Sequence, residues 1–371
     1  MTPTQPSTTP APAGPSRGAD IWREVTHHGL FWPVVALVAL LLACGIASPG
    51  FLDVTVRDGH LFGQLVDLLR NSATPLLLAL GMCLVIATGG IDLSVGAVMA
   101  IGLAVSLTYL DTAPDPSNVG TVVTAVLLGL GVGALGGAFN GAMVAGLGIQ
   151  PFIATMILMV AGRGIAMLIT QGQITTVTSP PFKTIGSGFV LGIPTPVVIA
   201  VAAFVVVAVA VRRTALGMFL EAIGINREAS RLAGVRSRRT TWTVYVIAGV
   251  LAALAGLVYG APTMAADANN IGLMKELDAI MVVVLGGTKL DGGRFYLGGL
   301  LVGAMLLSTL ERAVIIFQFP SQTTPLFKAL VLIAVCVAAS PTLRAMLRGR
   351  RRADRSDAPA APVETVSEVT A

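Results

Sequence analysis

Charged residues are scarce in this chain. Only 12% of its 371 residues are Asp, Glu, Lys or Arg, and 54% are hydrophobic, whereas soluble domains carry about 25% charged residues. A water-soluble fold is therefore excluded. Apolar stretches of roughly 18 to 25 residues recur along the sequence, and each is long enough to cross a bilayer as a helix. The chain is predicted to be a polytopic membrane protein.

Aromatic residues are also scarce, at 5%, whereas the chain has 42 glycines. Transmembrane β-barrels need girdles of aromatic residues at both membrane surfaces, while glycines within apolar runs allow helices to pack closely. The predicted fold class is therefore all-α, a bundle of transmembrane helices.

Residues that could carry catalysis are few. The three histidines, His27, His28 and His60, lie outside the apolar runs, which excludes a histidine metal site or catalytic base within the membrane. The sequence has neither a phosphate-binding Gly-x-x-x-x-Gly-Lys-Ser/Thr motif nor a Gly-x-Ser-x-Gly nucleophile turn. We therefore predict no enzyme activity, no metal, no cofactor and no ATP hydrolysis by this chain alone.

The chain has three cysteines, and each lies inside an apolar run without the spacing of a metal site or a disulfide. We interpret Cys44, Cys83 and Cys336 as small core residues.

Ten transmembrane spans are predicted, with both termini cytoplasmic in an inner membrane. Arginines collect at 212–239 and 344–355, on the side that is cytoplasmic if the N-terminus is inside. The net charge of +5 is therefore an orientation signal, and nucleic acid is not an expected partner. The predicted spans are 31–48, 71–90, 93–110, 119–146, 150–170, 195–212, 241–261, 277–290, 294–312 and 325–343.

The predicted transmembrane domain covers residues 31–347, with a long cytoplasmic loop at 212–240. Residues 1–30 are rich in Pro, Thr, Ser and Ala, and residues 348–371 are basic and then rich in Pro and Ala. Both ends are therefore predicted to be disordered cytoplasmic tails. The first apolar run, Phe31 to Ser48, is interpreted as a retained signal anchor.

Two glycine patterns concern the packing of the bundle. Gly129, Gly133, Gly137 and Gly141 share one helix face, which could slide against a neighbour or pack statically, and static packing is favoured. Residues 89–96 and 286–293 are similar glycine-rich breaks between apolar runs. Because both breaks have the same orientation in the predicted topology, a parallel internal duplication is predicted.

Two charged residues lie at membrane depth. Asp92 lies in the first glycine-rich break, where burying a charged carboxylate costs free energy unless it is paired or faces water. It either caps the next helix or couples to protons or sodium, and capping is favoured because an ion-coupled machine would normally carry more than one buried acid. Arg163 is the only basic residue well inside a span, and it either pairs with a carboxylate or lines a pathway.

Polar side chains within or beside the spans could line a pathway for a hydroxylated solute. Each could equally be a contact between helices or a loop residue. With Asp92 and Arg163, the candidate pathway residues are Asn71, Asn140, Gln171, Gln173, Asn269 and Asn270, and the description also fits Gln150, Glu276 and Asp278.

The cytoplasmic loop contains a predicted short helix, Met218 to Val235, with apolar residues among charged ones. A soluble protein could dock on this helix, or its arginines could hold it against anionic lipid. The residues themselves leave both alternatives open.

Four motifs stand out along the chain. They are ATGGIDLSVGA at 87–97, IQPFIAT at 149–155, AGRG at 161–164, and AIGINREA at 222–229 continuing to AGV at 233–235. Together they resemble the permease subunits of bacterial ATP-binding-cassette (ABC) sugar importers of the ribose/galactofuranose type. The resemblance covers residues 70 to 340. The segments ADANN at 266–270, ELDAI at 276–280 and GGRF at 292–295 look most similar to the galactofuranose branch.

The resemblance implies two permease subunits, identical or different, a cytoplasmic ATPase that binds the ATP, and an external sugar-binding protein. The helix around 221–234 would be a coupling helix that docks on the ATPase. An ion-coupled secondary sugar transporter is the alternative function. The residues implied in coupling are Glu221, Gly224, Asn226, Glu228, Ala229, Arg231 and Gly234.

Overall fold

The computed structural model describes residues 30–339, and most of them are helical. The predicted tails, apart from Leu30, and the last residues of the tenth predicted span lie outside the described residues. The helices are α1 (Phe31–Ala47), α2 (Gln64–Ala87), α3 (Val95–Thr112), α4 (Val119–Gly141), α5 (Pro151–Ile169), α6 (Pro180–Ser187), α7 (Thr195–Arg213), α8 (Leu216–Ile225), α9 (Arg227–Leu232), α10 (Ser237–Gly260), α11 (Lys275–Leu285), α12 (Leu297–Ile316) and α13 (Thr324–Ala339).

Short antiparallel strand pairs lie between some of these helices. The pairs are β1 (Thr55–Arg57) with β2 (His60–Phe62), β3 (Thr175–Thr176) with β6 (Ala265–Ala266), and β4 (Phe189–Val190) with β5 (Ile193–Pro194). In the second pair Thr175 lies opposite Ala266. This pair joins the segment after α5 to the segment after α10.

Prolines and polar caps mark where several helices begin. Pro151 and Pro180 are the first residues of α5 and α6, where the missing N–H is not needed. The side chain of Asn118 caps α4 by accepting a hydrogen bond from the Gly120 amide at 2.8 Å. The helix starts are therefore encoded locally.

Seven described helices are long and apolar enough to cross a membrane, which confirms the prediction of an all-α transmembrane bundle. They are α2, α3, α4 with its π-helical continuation to Gly146, α5, α7, α10 and α12. A helix also lies at each of the three other predicted spans, 31–48, 277–290 and 325–343, but these helices have 17, 11 and 16 described residues.

The predicted span 277–290 is wrong as one continuous helix. Its helix, α11, ends at Leu285, and 11 residues make a helix of only about 16 Å. The positive φ angle of Gly287, +82°, ends the helix there. The helix thus ends at the glycine-rich break predicted at 286–293, and only the predicted bound of the span, 290, extended past it.

The centre of the bundle is formed by α2, α3 and α10. Between 67% and 78% of the residues in their apolar windows are buried, against 22% to 28% for α4, α5 and α7. The outer helices carry exposed apolar side chains such as Leu127, Leu135 and Val206. In a membrane protein such a surface faces lipid or another subunit.

The four spaced glycines of α4 all lie on its buried face. A Cβ at Gly133 would overlap the backbone of Gly249 in α10, and one at Gly137 would overlap the carbonyl of Tyr245. Gly129 lies in the same way against α3, and Gly141 against Trp242. The glycines therefore allow α4 to contact its neighbours backbone to backbone.

The interpretation of the cysteines as core residues is wrong for one of them. Cys44 and Cys83 are buried, but Cys336 is exposed on α13. An apolar residue in a membrane helix can face lipid as well as the bundle interior. Composition alone therefore does not distinguish the two faces of α13.

Candidate functional site

The break between α2 and α3 begins with a Schellman motif that ends α2. Gly89 has a φ angle of +80°, and its amide donates to the carbonyl of Ile86 at 2.8 Å. The Gly90 amide donates to the carbonyl of Val85 at 3.2 Å. These bonds satisfy carbonyls that the end of a helix otherwise leaves without partners.

Asp92 lies in this break and is only 2% exposed. Its Oδ1 accepts hydrogen bonds from the Ser94 amide at 2.9 Å and from Ser94 Oγ at 2.6 Å. The Leu93 amide donates to Thr155 Oγ1 of α5 at 3.1 Å. Asp92 thus accepts from the amide of Ser94, the residue just before α3, and not from an amide inside that helix. It braces the turn that leads into α3.

Asn140 of α4 completes the cluster around Asp92. Its Nδ2 donates to Ser94 Oγ at 2.7 Å and lies 3.4 Å from Asp92 Oδ1. Among the described residues, Asn140 Oδ1 and Tyr245 Oη are buried and have no hydrogen-bond partner. The structure thus brings two predicted pathway residues, Asp92 and Asn140, into one buried polar cluster.

Arg163 holds the loop between α10 and α11. Its Nη1 donates to the carbonyls of Ala268 at 3.0 Å and Ile271 at 2.5 Å. The loop also contains Asn269 and Asn270, which are both exposed. Arg163 therefore binds backbone carbonyls of the segment that carries the two predicted asparagines.

The same loop lies against the start of α3. A Cβ at Gly96 would overlap the carbonyl oxygen of Gly272, so the two backbones are in direct contact. Inside the loop, Asn270 Nδ2 donates to Asp267 at 2.6 Å and the Asn269 amide donates at 3.0 Å. The asparagines therefore lie within a few residues of the contact with α3, close to the Asp92 break.

The other three predicted pathway residues lie apart from this cluster. Asn71 lines a cavity of ≈ 200 Å³ together with Arg70, Lys275 and Asp278. Gln171 has a φ angle of +53° where α5 ends, and its side chain and that of Gln173 are exposed. The structure does not bring these three residues together.

The loop predicted at 212–240 contains two short helices, so the prediction of one helix from Met218 to Val235 is wrong. Asn226 separates α8 from α9 because its backbone is extended, with φ −156° and ψ 103°. Its side chain then caps α9 by accepting a hydrogen bond from the Ala229 amide at 2.9 Å. Asparagine favours such caps over helix interiors.

The surface of α9 carries an ion pair. Arg231 Nη2 lies 2.5 Å from Glu228 Oε1, and both side chains are about two-thirds exposed. Hydrogen bonds from Arg231, with its positive charge, hold the pKa of Glu228 below its usual range. Gly234, with a φ angle of +85°, ends this segment.

Gly224, near the end of α8, lies where three segments of backbone meet. A Cβ at Gly224 would overlap the carbonyl oxygen of Ala87, the last residue of α2, and the amide nitrogen of Gly293. The Gly293 amide itself donates to the Ala87 carbonyl at 3.0 Å. We call Gly224, Ala87 and Gly293 the glycine junction. Glu221, one turn earlier in α8, is half-buried.

Comparison with known proteins identifies the family of the chain. A family model described as the permease component of branched-chain amino acid transport systems matches residues 64–336. The galactofuranose transporter permease protein YtfT of Escherichia coli K12 is 46% identical, over 88% of this chain and 95% of that protein. The chain belongs to the family of ABC importer permeases.

Two further relatives extend this result. The fructose import permease protein FruF of Bifidobacterium longum is 40% identical to this permease, over 91% of this chain and 95% of FruF. The ribose import permease protein RbsC of Bacillus subtilis is 35% identical, over 81% of this chain and 89% of RbsC. These relatives are transporter subunits, and they support the importer over the ion-coupled alternative.

Membership of the family confirms three sequence-based predictions. The chain is the permease subunit of an ABC importer, it belongs to the inner membrane, and it crosses that membrane several times. An importer of this kind works with an ATPase and a binding protein.

Sequence reasoning missed a charged network next to the cavity at Asn71. Asp278, which is 5% exposed, lies 3.0 Å from Lys275 Nζ and 2.7 Å from Lys328 Nζ. Lys328 also lies 2.7 Å from Glu311. The spacing of Lys275 and Asp278, three residues apart, could have indicated their pair, but the contacts with α12 and α13 depend on the fold.

Proposed function

We propose that this permease passes a monosaccharide across the inner membrane after an external sugar-binding protein delivers it. The three relatives described above are named for galactofuranose, fructose and ribose. Of these, the galactofuranose permease has the highest identity, 46%. Galactofuranose and related aldoses are therefore the first substrates to test.

We further propose that α8 and α9 form the coupling segment that docks on the ATPase. The glycine junction is the observation that supports this role most directly. Through Gly224, α8 contacts the end of α2 and the segment before α12 without any intervening side chain. A displacement of α8 by the ATPase would therefore move the ends of two membrane segments as a rigid body.

The exposed surface of the coupling segment supplies the remaining proposed contacts. Glu228, Ala229 and Arg231 are exposed on α9, and Asn226 and Gly234 fix where α9 begins and ends. ATP itself would be bound by the ATPase, and this chain would need no cofactor. A second permease, identical or different, would cover part of the apolar surface of α4, α5 and α7.

The topology proposed for this permease has ten passages and cytoplasmic termini. The passage at 277–290 would consist of the short helix α11 followed by non-helical backbone. Lys275 lies 5.9 Å from the ring of Tyr259, near the end of α10, whereas Gly293 lies at the glycine junction. Residues 275–293 thus run from one end of the bundle to the other, although their helix is short.

The proposed pathway roles differ between residues. Asp92 and Asn140 would hold the break between α2 and α3 in place, and Arg163 would position the loop that carries Asn269 and Asn270. These exposed asparagines are the proposed sugar contacts. A few amide groups would suffice for a low-affinity passage, because the binding protein captures the sugar.

Co-purification from native membranes tests the proposed function. The tagged permease should recover an ATPase with two nucleotide-binding cassettes. Recovery of one permease species would indicate a homodimer, and recovery of two would indicate a heterodimer. In liposomes, the complex with its binding protein should take up labelled galactofuranose only with ATP inside. Uptake by this chain alone, without ATP and abolished by an uncoupler, would contradict the importer.

A further inference from the structure

A wide cleft opens between the end of α4 and the start of α10. It has a volume of ≈ 690 Å³. One wall is formed by residues 144–148, where the π-helical continuation of α4 ends, and the other wall is formed by α9 and the first residues of α10. We call this space the arginine cleft, because five arginines line it: Arg227, Arg231, Arg236, Arg238 and Arg239.

The charge of the cleft is strongly positive. Among the described residues that line it, the one carboxylate is Glu228, which is paired with Arg231 at 2.5 Å. The described structure gives Arg236, Arg238 and Arg239 no carboxylate within 4.0 Å, and all three are exposed. Guanidinium groups bind phosphate oxygens in pairs of parallel hydrogen bonds. The cleft therefore suits a phosphate-bearing ligand.

Two features place the cleft at the level of a membrane surface. Trp242, one turn after Arg238 on α10, is 41% exposed, and tryptophans favour the interface between hydrocarbon and water. Leu147 lines the cleft and is 72% exposed, and Phe152 follows it at the start of α5 with 48% exposure. Basic groups thus lie beside an apolar surface that could contact acyl chains.

We propose that the α10 side of the arginine cleft, formed by Arg236, Arg238 and Arg239, binds the headgroup phosphate of an anionic phospholipid from the cytoplasmic leaflet and leaves the exposed face of α9 to the ATPase. Basic pockets on the cytoplasmic side of transmembrane helices bind such headgroups. A soluble anion would use the arginines but not the adjacent apolar side chains. This proposal does not depend on which sugar the permease carries.

Native mass spectrometry tests the proposal on the full-length permease in its complex. The complex would be released from nanodiscs that contain phosphatidylcholine and phosphatidylglycerol in equal amounts. We expect at least one phosphatidylglycerol to stay bound, and inorganic phosphate at millimolar concentration not to displace it. Equal retention of both lipids, or displacement by inorganic phosphate, would overturn the proposal.

A pair of matched variants assigns the bound lipid to the cleft. Arg238→Gln/Arg239→Gln removes two cleft charges, whereas Arg212→Gln/Arg213→Gln removes two adjacent exposed arginines from the end of α7. The first variant should lose at least about threefold more bound phosphatidylglycerol than the second. Equal loss of phosphatidylglycerol from both variants would contradict the proposal, because it would show that the lipid is attracted to basic residues in general. If the first variant keeps the lipid but loses the ATPase, the cleft is a docking surface for the ATPase and the proposal is wrong.

A measurement without cleft mutations guards against a misfolded variant. Trp22→Phe/Trp32→Phe leaves Trp242 as the one tryptophan of the chain, because the chain has three. Brominated acyl chains quench nearby tryptophan fluorescence. At equal content, brominated phosphatidylglycerol should quench Trp242 more strongly than brominated phosphatidylcholine, and equal quenching would contradict a selective site.

Discussion

The two glycine-rich breaks of this permease end their helices in the same way but are held in place differently. After α2, the positive φ angle lies at Gly89, and after α11 it lies at Gly287, with values of +80° and +82°. In both, the amide of that glycine and the amide of the next residue donate to helix carbonyls, as in a Schellman motif. The first break is then fixed by buried side chains around Asp92, whereas the second reaches the surface, where Asp291 is exposed.

This difference indicates how one local motif serves two purposes. Polar side chains from α4 and α5 lock the first break to its neighbours. The second break instead continues to Gly293, which lies against the backbone of Gly224 and beside the Ile225 side chain of α8. The first break is therefore anchored by buried side chains as well as by backbone, whereas both breaks meet α8 at the glycine junction, through Ala87 and Gly293.

The largest effect is expected at the glycine junction. Gly224→Ala would force a Cβ against the Ala87 carbonyl and the Gly293 amide, and overpacking of this kind costs about 1–3 kcal/mol. Sugar-stimulated ATPase activity of the reconstituted complex should fall at least about tenfold, which corresponds to about 1.4 kcal/mol, while the permease still inserts into membranes.

Gly131→Ala is the control for this variant. Gly131 lies in α4, and no neighbouring atom lies within 4 Å of the place that an alanine Cβ would take, so alanine should be neutral or slightly stabilising there. If Gly224→Ala supports normal sugar-stimulated ATPase activity, the glycine junction does not couple the ATPase to the membrane helices.

The next effect compares the carboxylates of the two breaks. Asp92→Ala removes the acceptor of the Ser94 bonds inside the bundle, which should cost about 1.5–3 kcal/mol. Its thermal unfolding midpoint in detergent should fall, whereas that of Asp291→Ala, at an exposed position, should not. A normal midpoint combined with loss of transport would identify Asp92 as an acid that acts in transport.

The transmembrane helices could largely be predicted from hydrophobicity. The contacts that the two glycine-rich breaks make with other helices could not. A helix lies at every predicted span because apolar length is a local property of the chain. The glycine-rich break at 286–293 was predicted, but the span was extended through its first residues to 290, because glycine is common inside transmembrane helices. Only the fold shows that Gly287 has a left-handed conformation.

The sequence indicated which polar residues belong to the candidate site, but not which of them contact one another. The pairing of Asp92 with Asn140 joins residues 48 positions apart, and periodicity carries no information about such a contact. The alignment of the two breaks was also offset by one residue, because the sequence pairs Gly89 with Gly286 whereas the structure pairs it with Gly287. The positive φ angles of Gly89 and Gly287, and not the identity of the residues, show that these two glycines are equivalent.

A smaller effect tests whether the two Schellman motifs are equivalent. Gly89→Ala and Gly287→Ala each place a Cβ at a positive φ angle, which costs about 1–2 kcal/mol. The two variants should lower the unfolding midpoint by similar amounts. A much larger fall for Gly89→Ala would show that the first break is also constrained by its surroundings, although no atom lies within 4 Å of a Cβ there.

The smallest effect is expected from a hydroxyl in the second break. Thr288 is 3% exposed, and its Oγ1 accepts a hydrogen bond at 3.1 Å from the amide of Tyr296, which precedes α12. Thr288→Val keeps the shape but removes the acceptor, so it should cost about 1 kcal/mol. Hydrogen exchange measured by mass spectrometry should become faster at Tyr296, while Thr288→Ser should keep the slower exchange. Unchanged exchange in Thr288→Val would mean that the glycine junction, and not this hydroxyl, holds the second break.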